Sequence, residues 1–141
     1  MGTISFNQQT LGFITYFEKF TRTKVLDCID TPERIVFVVE QGSLRRALGP
    51  SGEVIRRLRE RFKRIVDVIE FSDDPSRFLT NIFHNVRVRE VRFEERDGKN
   101  HATVMVDPAD KGKAIGRAGQ NLKLAKDIMS RHHPVESVRV G

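Results

Sequence analysis

The alternation of apolar and polar residues divides the first half of the chain into short helices and strands. Apolar residues recur over about 7–20 with the period of an amphipathic helix. Two runs rich in β-branched residues, 25–29 and 35–39, flank a turn that contains aspartate and proline, so they predict a hairpin. The pattern then predicts a short helix capped by Gly42-Ser43, a second helix over about 54–62 and a strand over 65–71.

The second half of the chain repeats this order. A helical pattern covers 77–83, and the run 86–95 alternates apolar with charged residues as a strand does. The segment 97–100, Asp-Gly-Lys-Asn, predicts a hairpin turn that leads into a strand over 102–106. The pattern then predicts a short helix from Pro108 to Gly116, a longer helix from Gly119 to about His132 and a final strand over 135–140.

Two glycine pairs of equal spacing set the halves in register. Gly49 and Gly52 lie 67 residues before Gly116 and Gly119. At that offset, apolar residues match apolar residues; the pairs are Val39 with Val106, Ala47 with Ala114, Leu48 with Ile115, Ile55 with Leu122 and Phe62 with Met129. We therefore predict two tandem α+β domains, over 1–73 and 74–141, joined at the turn-forming segment 72–75.

The glycine-rich stretch 112–122 has the composition of an anion-binding loop. Its glycines let a phosphate approach the backbone closely, and a helix N-terminus follows. A Walker motif would need Ser or Thr after Gly112-Lys113, where Ala114 stands, and a dinucleotide fingerprint would need G-x-G-x-x-G after a strand. The remaining possibility is G-x-x-G between two helices, with which K-homology (KH) domains clamp four nucleotides of backbone.

The charge of the chain favours a polyanionic partner. Its 25 Lys and Arg against 19 Asp and Glu give a net charge of +6 and a pI of 9.9. The single cysteine, Cys28, excludes an intramolecular disulfide and is expected to be buried. Since no secretory or membrane-spanning segment is evident, we expect a cytoplasmic protein.

The candidate nucleic-acid contacts surround the two G-x-x-G loops. A helix end and basic side chains would hold a sugar-phosphate backbone, and apolar neighbours would receive bases that a duplex keeps stacked, so a single strand is the predicted ligand. In the second loop, we assign this role to Gly116, Arg117, Ala118, Gly119, Lys111, Lys113, Gln120 and Asn121. In the first loop, we assign it to Gly49, Pro50, Ser51, Gly52, Arg45, Arg46 and Arg56.

Two alternative interpretations of the loops stay open. The alternative for the second loop is an ordinary glycine cap at the end of one helix, followed by a helix with a solvated lysine face. The first loop has no charge inside its turn, because Pro50 and Ser51 stand where the second has Arg117 and Ala118, and it would then be a structural repeat that binds little.

No catalytic or metal-binding constellation accompanies these loops in the sequence. The histidines His84, His101, His132 and His133 lack zinc-ligand spacing, and no catalytic triad or carboxylate pair is recognisable. We therefore predict a protein that is not an enzyme and that uses no metal, cofactor or small-molecule substrate.

The stretch 112–122, Gly-Lys-Ala-Ile-Gly-Arg-Ala-Gly-Gln-Asn-Leu, followed by Leu124-Ala125, resembles the signature of the second KH domain of NusA transcription factors. The match is specific in the second half and loose in the first. The resemblance implies two tandem type II KH domains, each a small three-stranded sheet covered by helices on one face. It also implies an RNA partner and a role in transcription termination or elongation alongside RNA polymerase.

The chain is similar to the short archaeal form of NusA, which is essentially the KH tandem. Bacterial NusA proteins instead carry a polymerase-binding domain and an oligonucleotide-binding barrel ahead of the KH pair, so polymerase contact is not implied by the same residues. We expect a monomer. The alternative function is a KH scaffold for protein interaction or ribosome assembly.

Overall fold

The computed structural model describes residues 7–141, and this part of the chain divides between Ser72 and Asp73 into two compact units. Residues 1–6 of the predicted first domain lie outside the described residues. Each unit has its own three-stranded sheet and its own helices.

The first unit follows the predicted order of elements. They are α1 (Gln8–Thr21), β1 (Val25–Asp30), β2 (Arg34–Val39), α2 (Leu44–Leu48), α3 (Glu53–Phe62) and β3 (Ile65–Glu70). Strands β1 and β2 form an antiparallel hairpin, whereas β3 runs parallel to β2. A parallel neighbour needs a crossover connection, and α2 with α3 provides it.

The helices cover one face of the first sheet. Phe17 of α1 stacks on Phe37 of β2 with ring centroids 4.2 Å apart, and both rings are fully buried. Leu58 of α3 is buried in the same cluster. Since each such side chain contributes roughly 1.5–3 kcal/mol on burial, these contacts attach the helices to the sheet.

The second unit has the same topology. Its elements are α4 (Pro75–Ile82), β4 (Val88–Arg96), β5 (Lys99–Val106), α5 (Lys111–Ile115), α6 (Gln120–His132) and β6 (Ser137–Val140). Strands β4 and β5 are antiparallel, and β5 and β6 are parallel. Asp97 and Gly98 close the β4–β5 hairpin with φ of 54° and 75°, which is the left-handed backbone that a two-residue hairpin turn requires.

The core of the second unit lies between its sheet and its helices. Alternate residues of β5 are buried, and Phe78 of α4 and Ile128 and Met129 of α6 are fully buried as well. The strand period of two and the helical period therefore point their apolar residues into one shared layer.

Two strands begin later than the sequence pattern predicts. Strand β4 begins at Val88 rather than at 86, because the amide of Val86 donates to the carbonyl of Phe83 at 3.2 Å in a turn. Strand β6 begins at Ser137 rather than at 135, because the amide of Val135 donates to His133 at 2.8 Å. Amides that close a turn are not available to a sheet ladder.

The predicted cap of α2 is only partly correct. Ser43 occupies the cap position, but its side chain makes no capping hydrogen bond. The carboxylate of Glu70, at the end of β3, accepts a hydrogen bond from the amide of Leu44 at 3.1 Å instead. A residue distant in sequence thus supplies the acceptor that the local pattern assigned to Ser43.

Candidate nucleic-acid interface

The two G-x-x-G loops have the same backbone conformation. Gly49 has φ and ψ of 71° and 173°, and Gly116 has 79° and 171°. Two positions later, Ser51 has 55° and 26°, and Ala118 has 54° and 25°. Since the middle residues differ between the loops, the shared conformation is set by the glycines and by the helix ends that they join.

The first glycine of each loop packs against the start of the following helix. A Cβ on Gly116 would lie 2.9 Å from Cγ and 3.0 Å from the backbone nitrogen of Asn121, and one on Gly49 would lie 2.3 Å from Cγ2 of Val54. The backbone region of both glycines is also essentially restricted to glycine. These two residues therefore hold the loop in place.

The last glycine of each loop faces open space. Gly52 and Gly119 have φ of 69° and 73°, and a Cβ on either would meet no atom within 4 Å. Each directly precedes the first residue of a helix, α3 or α6. A phosphate can therefore approach the positive end of that helix at these positions.

The third residue of each loop is strained. Ser51 and Ala118 adopt the left-handed conformation, which costs a residue with a Cβ about 1–2 kcal/mol. Hydrogen bonds close the turn around Ala118, from the amide of Gly116 to Gly112 at 2.9 Å and from that of Gly119 to Gly116 at 3.1 Å. The loop is therefore preformed and does not need to be ordered by a ligand.

The basic side chains predicted around the second loop are exposed. Lys111, Lys113 and Arg117 extend into solvent from α5 and from the turn, and the amide of Gln120 is exposed at the first position of α6. No ion pair engages the three cations within residues 7–141. Their positive charge is thus available to an anionic ligand.

Asn121 differs from the other predicted contacts of the second loop. Its side-chain amide donates to the carbonyl of Lys113 at 2.9 Å, and its Cβ and Cγ fill the space beside Gly116. The side chain thus ties the end of α5 to the start of α6. These contacts show that Asn121 supports the loop. A contact between Asn121 and RNA stays a prediction.

The predicted arginines around the first loop divide into two groups. Arg45 and Arg56 are exposed, as are Pro50 and Ser51 in the turn. Arg46 is exposed too, but its Nη1 donates to the carbonyl of Arg22 at the end of α1, at 3.2 Å. Arg46 therefore supports the helix end as well as adding charge.

Glu53 is a charged residue beside the first loop that the sequence pattern did not single out. It is the first residue of α3, where the second unit has Gln120 at the offset of 67. Its carboxylate forms an ion pair with Arg57 at 2.9 Å. This acid lies directly after Gly52, so the first loop has a carboxylate where the second has a neutral amide.

Two aspartates near the second loop are held by arginines. Asp110 accepts hydrogen bonds from the backbone amide of Arg87 at 3.0 Å and from its Nε at 3.1 Å. Asp107 accepts from the amide of Ala109 at 3.0 Å and pairs with Arg89 at 3.4 Å. The Arg87 hydrogen bonds lower the pKa of Asp110, and the Ala109 amide is the main cause of the lowered pKa of Asp107.

We expect Asp110→Asn to lower the midpoint of thermal unfolding of the second unit at neutral pH. A carboxylate whose pKa falls on folding contributes stability that is present above its unfolded pKa, near 3.8, and that is lost as the pH falls through the lower folded value. The difference from the wild type should therefore shrink below about pH 4. Thermal melts from neutral to strongly acidic pH measure it.

Asp127→Asn is the matched control, because Asp127 is an exposed aspartate in α6. It carries the same change of charge without the Arg87 contact. An Asp110→Asn difference that stays constant down to strongly acidic pH, or that Asp127→Asn reproduces, would contradict the assigned ion pair.

The structure places the histidines apart from any metal-like cluster. His132 and His133 contact the ring of Phe78, with centroids 5.5 Å away in both cases. Among residues 7–141 no group of His, Cys, Asp and Glu has metal-binding geometry.

Cys28 is buried, as predicted. None of the helices described is long and apolar enough to cross a bilayer.

Comparison with known proteins gives consistent matches. Residues 75–139 match the family model of the NusA-like second KH domain. The chain is 33% identical over 140 residues to the "Probable transcription termination protein NusA" of Thermoplasma acidophilum. The alignment spans 99% of this chain and 97% of that protein. A protein of the same name from Methanocaldococcus jannaschii is 32% identical, spanning 99% of this chain and 76% of its own length.

A solved structure shares the fold. The crystal structure of APE1850 aligns with a TM-score of 0.78 at 32% identity, and the alignment covers 96% of this chain and 100% of that one. Together with the two sheets of like topology, this similarity confirms the predicted α+β class with tandem KH domains. The unit matched by the family model is the one that carries the more basic loop.

Proposed function

The chain belongs to the NusA family and matches its short archaeal form, and we propose from this that it is a non-catalytic RNA-binding protein acting in transcription termination or elongation. The relatives are named as transcription termination proteins, which supports the process. The preformed G-x-x-G loops support RNA as the proposed ligand. A single RNA strand would lie with its sugar-phosphate backbone against them.

The main support for this proposal is that each loop leaves open space at the start of a helix. At Gly119 the N-terminal end of α6 is open, and Arg117 in the turn and Lys113 on α5, which precede it in the chain, are both exposed. A phosphate there is favoured by the helix end and by the two cations together. Because such contacts are to the backbone, they position the strand without selecting its sequence.

We propose that the two loops contribute unequally. The second has Arg117 inside its turn and Gln120 at the helix start, whereas the first has Pro50 and Glu53 at the equivalent positions. Both loops have the backbone geometry for a phosphate, so the difference is one of charge. The second loop is the main clamp, and the first adds weaker contacts through Arg45 and Arg56.

We further propose that the protein acts as a monomer in the cytoplasm alongside RNA polymerase. Each unit places its loop on its own helices, so neither proposed site needs a second copy of the chain. The polymerase partner rests on the family alone.

Titration with labelled oligonucleotides of about ten residues tests the proposed ligand. We expect single-stranded RNA to bind more tightly than an RNA duplex, because a duplex hides its bases. For about four phosphate contacts, raising the salt from about 50 to about 200 mM should weaken binding about 50-fold. Equal affinity for the duplex, or binding that does not respond to salt, would contradict the proposal.

A further inference from the structure

A groove runs between α1 and α3 of the first unit, away from the G-x-x-G loop. Its volume is about 460 Å³, which is within the range of ligand-binding clefts. Its walls come from Gly12, Phe13 and Tyr16 of α1, from Arg61 and Phe62 at the end of α3, and from Arg64 just beyond that helix. Arg61 lies nine residues beyond Gly52, or roughly 14 Å along the helix axis.

Aromatic rings hold the arginines of this groove in place. The guanidinium of Arg61 lies 5.1 Å from the ring centroid of Tyr16, and that of Arg64 lies 5.1 Å from the ring centroid of Phe13. Phe62 packs edge-on against both of these rings, at 5.0 and 5.5 Å. A guanidinium fixed in this way loses little freedom when it binds an anion.

The charge on the groove is not compensated by its own walls. Arg64 binds Asp30 and the carbonyl of Thr31, so part of its donor capacity is used. Arg61 has no carboxylate partner in the part of the chain that the structure describes. Among residues 7–141, none of those that line the groove is acidic, and their remaining polar members are Gln8 and Gln9.

Gly12 keeps the groove open at a cost to the helix. It lies inside α1, where glycine is about 1 kcal/mol less favourable than alanine. A Cβ at Gly12 would meet no described atom within 4 Å, and its φ lies outside the left-handed region. Neither packing nor backbone conformation among the described residues therefore requires glycine at this position. Its evident effect is to leave the wall of the groove without a side chain.

We infer that this groove is a docking site for an acidic segment of a partner protein that carries an aromatic or aliphatic residue. A carboxylate of the segment would pair with the fork of Arg61, and the apolar side chain would lie over Gly12 beside Phe13 and Tyr16. The half-exposed ring of Phe20, 38% exposed and stacked on Tyr16 at 6.0 Å, extends the apolar wall. The site is distinct from the proposed RNA clamp.

The observations favour a peptide over RNA at this groove. Bases bind by stacking on aromatic faces, but a guanidinium already lies over one face of Phe13 and one of Tyr16. The groove also combines one unpaired cation with an apolar wall. That combination suits an amphipathic acidic peptide, whereas a strand of phosphates needs a track of cations.

An NMR titration of the isotopically labelled full chain tests the inference. The probe is a synthetic peptide of about ten residues, with aspartate and glutamate around a central Phe-Leu pair. We expect saturable shifts at the amides of Gly12 and Arg61. A peptide with lysine in place of each acid should bind at least about tenfold more weakly, because the groove attracts only the anion.

Four variants separate docking from folding. Gly12→Gln fills the groove and Arg61→Gln removes the cation, so each should weaken the acidic peptide about tenfold or more. Arg59→Gln is the matched control, since Arg59 is an exposed arginine of α3 outside the groove lining. Gly12→Ala should lower the unfolding equilibrium constant about fivefold, because it removes the helix penalty.

Several outcomes would overturn the inference. They are the absence of saturable shifts at about 2 mM peptide, an equal effect of Arg59→Gln and Arg61→Gln, and tighter binding of oligouridine than of peptide at the groove amides. Gly12→Gln should leave RNA affinity at the glycine loops unchanged. The docking site and the RNA clamp can therefore fail separately.

Discussion

Gly119→Asp is expected to weaken binding of single-stranded RNA about 100-fold while both units stay folded. A carboxylate about 5 Å from a phosphate opposes it by roughly 3 kcal/mol at an effective dielectric constant of about 20, which corresponds to about 100-fold. The fold should tolerate the change. A Cβ at Gly119 meets no atom within 4 Å, and aspartate accepts the left-handed backbone at φ of 73° better than most residues do.

Gly119→Asn is the matched control for this variant. Asparagine has the same size and the same tolerance of the left-handed region, but it lacks the charge. It should weaken binding less than about tenfold. If Gly119→Asn lost as much affinity as Gly119→Asp, the effect would be steric rather than electrostatic. If Gly119→Asp kept wild-type affinity, the second loop would not be the clamp.

The same substitution in the first loop tests the proposed inequality of the loops. Gly52→Asp adds its charge beside Glu53, where a carboxylate is already present. We therefore expect it to weaken RNA binding by less than about tenfold. Oligonucleotide titration of both variants at one salt concentration measures the ratio.

Gly49→Ala is expected to destabilise the first unit by about 3 kcal/mol. Two costs add, since the backbone region of Gly49 strains a residue with a Cβ by about 1–3 kcal/mol and overpacking costs about 1–3 kcal/mol more. The overpacking is specific, because the new Cβ would lie 2.3 Å from Cγ2 of Val54. Urea unfolding, monitored through the hydrogen exchange of the β2 amides, measures the free energy of unfolding of this unit alone.

Two further variants separate the two costs. Gly52→Ala adds a Cβ in open space, so it should cost only the left-handed strain of about 1–2 kcal/mol. Combining Gly49→Ala with Val54→Ala removes the clash, and the double-mutant cycle should show a favourable coupling of about 1–2 kcal/mol. Equal costs for Gly49→Ala and Gly52→Ala, with no coupling to Val54, would refute the packing role of Gly49.

The order of elements was predictable because both units use strong local patterns. Helix α1 buries Ile14 and Phe17 at helical spacing, β5 alternates, and the two glycine pairs separate the helices at a constant offset. The differences lie at the ends of elements, as at Val88 and Ser137, where turn hydrogen bonds compete with the ladder, and at the cap of α2. These depend on the path of the chain before the strand, which hydrophobic spacing does not encode.

The residues around the loops were predictable by type but not by role. Basic residues and glycines near a helix start mark an anion site in any sequence. Whether a given side chain faces the ligand depends on its neighbours in space: Arg46 reaches the carbonyl of Arg22, and Asn121 reaches that of Lys113. The position of Glu53 is visible in the sequence alone, since it stands at the offset of 67 from Gln120.

The sequence by itself determined the two α+β units, their order of elements and the position of both glycine loops, because periodicity and glycine spacing are local properties. Only the tertiary structure decided that the loops share one strained backbone, that Val54 and Asn121 pack beneath their first glycines, and that α1 and α3 enclose a groove. The groove depends on residues distant in sequence that meet in space, and the loop contacts depend on how two neighbouring helices pack at atomic distances. Packing sets such distances, and no pattern along the chain specifies them.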